Sequence, residues 1–125
     1  GVAYDAEADL VYVSNSDSPT ATVGLRVFKG ADYTQVAEAA RTAPQWRSVA
    51  VDPGHGRIYL GEQNETFDNS GVTVLKAEDL TQVARLSAHA FGNKVYGIAV
   101  DPTRHRVYVS ARDRYPAGLI QLHLQ

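Results

Sequence analysis

Arg57-Ile58-Tyr59-Leu60-Gly61 decides how this chain is read, because it returns in altered form as Leu10-Val11-Tyr12-Val13-Ser14 and as Arg106-Val107-Tyr108-Val109-Ser110. Each copy follows a short apolar run that ends in Asp: Val2-Ala3-Tyr4-Asp5, Val49-Ala50-Val51-Asp52 and Ile98-Ala99-Val100-Asp101. Tyr12 and Tyr59 stand 47 positions apart and Tyr59 and Tyr108 stand 49, and the same offsets link the three aspartates. Further out, Gly24, Gly71 and Gly118 recur every 47 positions, and Thr34-Gln35-Val36-Ala37 returns as Thr81-Gln82-Val83-Ala84.

A fixed period of about 40 to 50 residues marks a propeller or a solenoid, and four strand-like segments within each period select the propeller. In the second period the pattern predicts strand a over 47–52, strand b over 57–62, strand c over 72–76 and strand d over 81–86. Strands a and c are near-continuous Val, Ile, Leu and Ala runs, as a strand buried on both faces requires; b and d alternate more and are expected farther from the axis. The expected fold is all-β, about 2.75 four-stranded antiparallel propeller blades. Blade 1 is expected at about 1–42, blade 2 at about 46–88 and blade 3 at about 95–125, the last without its outer strand.

Turn chemistry agrees. Asp52-Pro53-Gly54-His55 and Asp101-Pro102-Thr103-Arg104 place Asp where its carboxylate can accept local backbone N–H groups and Pro where its fixed φ suits a type I turn, so a and b form tight hairpins. The b-to-c and d-to-a connections are long and polar, and in an up-and-down blade those two kinds share one rim. Variable loops on one rim are where binding residues gather. Propellers close with about four to eight blades. This stretch alone closes no ring, and the rest is expected either from further blades of the same propeller or from identical copies, two of which approach six blades.

Charged residues are 21% and the net charge is −2, without the basic excess of a phosphate-backbone binder, so nucleic acid is not an expected partner. Cysteine is absent, which excludes a disulfide framework and thiol chemistry. No apolar run approaches the roughly 18 residues of a membrane span. Gly1 follows no basic and apolar leader pattern and reads as a processed or trimmed end.

Gly97 to Pro102 with Val107 to Ser110, Ser48 to Pro53 with Ile58 to Gly61, Val72 to Leu75 with Thr81 to Leu86, and Val11 to Asn15 together resemble the YVTN-type β-propeller repeat, a relative of lactonase-like and quinoprotein-like propellers. The resemblance spans nearly the whole chain outside the long loops. It departs from that repeat in lacking a Pro-x-Gly lead-in before Ser48 and in placing Ala111 where Asn usually follows strand b. The resemblance implies an exported setting, extracellular or periplasmic, and a scaffold whose long-loop rim binds a small molecule or a protein. A lactonase-like metal-dependent hydrolase and a purely structural repeat are the alternatives, and no catalytic residue carries over.

Candidate ligand-binding residues on the rim are Asn15, Trp46, Arg47, Glu62, Asn64, Tyr96 and Arg112. Asn15, Glu62 and Ala111 hold equivalent positions just past strand b, where an inward Asn and Glu would offer oxygens to a divalent cation such as Ca²⁺. Such a site wants about six oxygens, and the plainer reading has both residues capping strand ends in water, with no metal or other cofactor. Trp46, Arg47 and Tyr96 immediately precede an innermost strand. They either line the channel mouth, offering stacking and a guanidinium to an anionic or sugar-like ligand, or fill the gap between blades. His55, His89, His105 and His123 show no zinc spacing, and no Gly-x-Ser-x-Gly elbow or phosphate loop is present.

Overall fold

The computed structural model describes residues 1–15, 22–41, 45–63, 70–87, 94–112 and 119–123, by backbone alone at 87, 94, 111–112 and 119–123. Three antiparallel sheets follow one another along the chain. The first runs β1 (Val2–Asp5), β2 (Leu10–Ser14), β3 (Val23–Lys29), β4 (Gln35–Ala40), each strand paired with the next. The second runs β5 (Gln45–Asp52), β6 (Arg57–Gln63), β7 (Gly71–Lys76), β8 (Gln82–Ser87), and the third β9 (Lys94–Asp101), β10 (Arg106–Arg112), β11 (Leu119–His123). A single ladder pair, Gln63 with Lys94, joins the second sheet to the third. The expected segments of the second period match β5 to β8 within two residues at either end.

The sheets stack face to face, and their first strands lie side by side, β1 on β5 and β5 on β9. Two apolar layers hold the stack. Tyr12, Leu25 and Val27 of the first sheet meet Trp46, Val49, Ile58, Leu60 and Leu75 of the second; Tyr59, Val72 and Val74 of the second meet Val95, Val107 and Val109 of the third. Each such fully buried Val or Leu contributes roughly 1.5–3 kcal/mol. Contrary to the expectation that strand b alternates, β6 is buried at every position after Arg57. The reason is its place: a second strand has a sheet on both faces and a strand on both edges, so Ile58 and Leu60 turn to one layer and Tyr59 to the other.

The a-to-b turns are built as their sequence requires. Asp5, Asp52 and Asp101 each accept backbone N–H groups two or three residues on, from Glu7 and Ala8, from His55, and from Arg104. Asp9, Gly56 and His105 occupy the same turn position at φ of 54°, 62° and 52°. In the c-to-d turns Tyr33 and Leu80 hold the left-handed region at 61° and 60°. Asp32 and Asp79 accept the Thr34 and Thr81 backbone N–H groups beside them. For Asp32 the bond from Thr34 N–H leads in lowering the carboxyl pKa, and for Asp79 the bond from the Thr81 hydroxyl leads.

A Ser/Gly exchange runs across the a–b pairs. Ser48 faces Gly61 and Gly97 faces Ser110 in register, while Ser14 bonds back to Gly1. A Cβ at Gly61 would run into Ser48 Oγ, and one at Gly97 would stand 3.0 Å from Ser110 Oγ. There is room for one side chain, and the hydroxyl that occupies it is used: Ser14 Oγ donates to Arg47 O at 3.0 Å, stapling the first sheet to the second.

Candidate functional site

β5 and β9 carry an irregularity at the same repeat position. The β5–β6 register slips between Trp46 and Ser48, and the β9–β10 register slips opposite Tyr96, between Ser110 and Ala111. Arg47 and Tyr96 are therefore the extra residues of equivalent β-bulges, the device by which a strand re-aims one side chain. The two bulge residues meet. The Arg47 guanidinium carbon stands 4.4 Å from the centre of the Tyr96 ring, and Arg47 Nη1 donates to Gln63 Oε1 at 2.7 Å. This cluster lies where β5, β6 and β9 begin or end, at the long-loop rim beside the Gln63–Lys94 pair.

The neighbouring Trp46 goes elsewhere. Its ring is fully buried in the layer between the first two sheets, against Gly24, where any Cβ would collide with it. Of the two readings of Trp46, the geometry has it filling the gap between sheets. Its buried Nε1 has no hydrogen-bond partner among the described residues.

Glu62 is likewise buried, with no exposed surface. It lies on the face toward the first sheet and reaches outward across its own sheet. Its oxygens accept Gly71 N–H at 3.2 Å, Thr73 Oγ1 at 2.8 Å, and Arg85 through Nε at 3.0 and 3.1 Å and through Nη2 at 2.5 Å. Asn15, at the equivalent position of the first sheet, is half-buried and continues the strand by donating its N–H to Gly24 O at 2.8 Å. Asn64 lies outside the described residues, and Arg112 is described by its backbone alone, at the end of β10. Among the described residues no group of three or more His, Cys, Asp or Glu side chains is gathered as for a metal ion, and no helix is long and apolar enough to cross a membrane.

Two further arrangements escaped the sequence. The Glu62–Arg85 pair joins strand b to strand d across strand c, and only the register of three strands brings it together; the signal available was a Glu at the end of an otherwise apolar strand. On the tight-turn side, His55 and His105 meet with ring centres 4.1 Å apart, His55 Nδ1 lying 2.8 Å from Asp52 Oδ2. Burial, with Asp52 second, pushes the Tyr59 hydroxyl up to about 12, and burial raises Tyr12 as well.

Among solved structures, the chain is similar to hydrazine synthase of Kuenenia stuttgartiensis, with a TM-score of 0.76 and 14% identity over 88% of this chain and 30% of that one. The fold is a partial β-propeller. At that identity the likeness is one of fold alone, and this chain spans less than a third of the structure it matches. No family model matches the sequence, and no curated protein matches it. The three sheets are thus propeller blades, and β1, β5 and β9 are their axial strands.

Proposed function

We propose that these blades belong to a larger YVTN-type propeller that serves as a binding scaffold, taking a small-molecule or protein ligand at the rim of the b-to-c and d-to-a loops. The observation that carries the larger ring is a contrast between equivalent positions. Val49 and Leu60 of the second blade are 7% and 0% exposed beneath the first blade. Their counterparts on the first blade, Val2 and Val13, are 68% and 36% exposed, with Tyr4 beside them at 56%. Apolar side chains at positions the repeat otherwise buries call for a neighbour, either a further blade of the same polypeptide or an identical copy. The bulge cluster of Arg47, Tyr96 and Gln63 supports the rim as the ligand face, and the repeat pattern supports the YVTN assignment and, with it, an exported setting.

The hydrolase alternative, with a divalent cation such as Ca²⁺ held by Asn15 and Glu62, requires Glu62 to leave Arg85, Thr73 and Gly71 for the metal. Static light scattering across a dilution series of the chain tests the ring. A mass above 13.6 kDa that falls on dilution supports an apolar face seeking a cover: a discrete dimer or trimer points to copies closing the ring, and open-ended growth to missing blades. A monomer at all concentrations overturns the proposal. A thermal-shift screen with Ca²⁺ and sugar lactones separates the hydrolase, which requires a metal-dependent shift.

A further inference from the structure

Two arginines of the second blade keep opposite company. Arg85 grips a carboxylate, Glu62, through Nε and Nη2. The Arg47 guanidinium has only neutral partners among the described residues, the Gln63 amide oxygen on Nη1 and the face of Tyr96, while the residue's carbonyl accepts from the Gly1 ammonium at 3.0 Å. Nη1 lies across the guanidinium from Nε, so the Gln63 bond leaves the Nε–Nη2 edge for another acceptor. That edge presents two parallel donors, and it is the one by which Arg85 holds Glu62.

We propose that Arg47, fixed by Tyr96 and Gln63, anchors a receptor for a small carboxylate ligand at the long-loop rim, an inference that rests on the reading of that rim as the binding face. The half-buried cation is held in place by partners that, among the described residues, are themselves neutral. A planar fork pre-set in this way loses little freedom when it closes on a carboxylate. One guanidinium edge fits one carboxylate with two bonds. The bulges at Arg47 and Tyr96 bring both side chains out of the ladder without breaking either strand, which is how a repeat presents a ligand group on a rigid support.

Isothermal titration of the 125-residue chain with benzoate, its uncharged isostere benzamide, and inorganic phosphate tests the receptor. Benzoate is expected to bind once per chain and at least about tenfold more tightly than benzamide, as a charge-assisted bidentate pair demands. Arg47→Gln removes that preference, and Arg47→Lys, which keeps the charge but not the fork, weakens benzoate by about tenfold. The fluorescence of the buried Trp46 reports whether each variant keeps its fold; if Arg47→Gln does not, Arg47→Lys decides. Equal binding of benzoate and benzamide, unaltered benzoate binding in the variants, or phosphate bound as well as benzoate overturns the inference. Light scattering keeps the two readings apart: an assembly that ignores benzoate sinks the receptor alone, and a strict monomer that binds benzoate through Arg47 sinks the ring alone.

Discussion

The first and second blades present the same face in the same register, one to solvent and the other to a neighbour. Val13 pairs with Arg26 and Arg26 with Glu38 in the first; Leu60 pairs with Thr73 and Thr73 with Arg85 in the second. On the open face the ion pair is Arg26 with Glu38, 4.0 Å apart and about half exposed on both sides. On the covered face the cation has moved to strand d, and its carboxylate, Glu62, is sealed from water. The difference teaches that the repeat fixes where strands lie, whereas the cover decides what a charge there is worth. An exposed pair contributes about 0–1 kcal/mol, while stripping the partner from a buried one costs about 3–5 kcal/mol.

The largest expected effect follows directly. Arg85→Met should destabilise the chain by about 3 kcal/mol, because among the described residues Glu62 then keeps only Thr73 and Gly71, whereas Arg26→Met should cost less than about 0.5 kcal/mol in urea unfolding. Similar losses for the two would break the contrast between the faces. Next in size, Gly61→Ser should cost about 1–3 kcal/mol through the clash with Ser48 Oγ. The double exchange Gly61→Ser with Ser48→Gly removes the hydroxyl clash but leaves the new Cβ 2.7 Å from Val95 Cγ1, so it should recover part of that loss. A double variant no better than the single one would show that the pairing is not what sets these residues.

A smaller effect appears in alkali. Tyr59 has a folded pKa raised to about 12 from 10.0, so its proton is held more tightly in the folded chain. Stability from this source is complete below about pH 10 and is lost as pH rises through 12, on the order of 2 kcal/mol. Tyr59→Phe should flatten the fall in stability over that window, read from chemical unfolding at stepped pH. An unchanged profile would place the alkaline loss elsewhere, Tyr12 being the first candidate.

Much of this architecture was legible because it is local or periodic. The aspartate turns depend on residues two or three apart, and the apolar runs repeat at a period no single helix or hairpin produces. The Ser/Gly exchange was also on the page, as Ser48 with Gly61 against Gly97 with Ser110, although its meaning needs the a–b register. Trp46 was undecided because a one-residue slip between Trp46 and Ser48 determines which of Trp46 and Arg47 turns inward, and no composition rule locates a bulge. Glu62 read as a rim residue because strand ends usually reach water; its burial depends on Arg85, two strands away. Asn64 and the Arg112 side chain lie outside what the structure describes.

Leu60→Ala and Val13→Ala, unfolded by urea side by side at a concentration where the chain is monomeric, give the most direct test. The two residues are repeat equivalents that differ in cover, 0% against 36% exposed. Leu60→Ala should cost about 3 kcal/mol and Val13→Ala less than about 1 kcal/mol. Equal costs would contradict an open first face, and with it the claim that these blades await a neighbour.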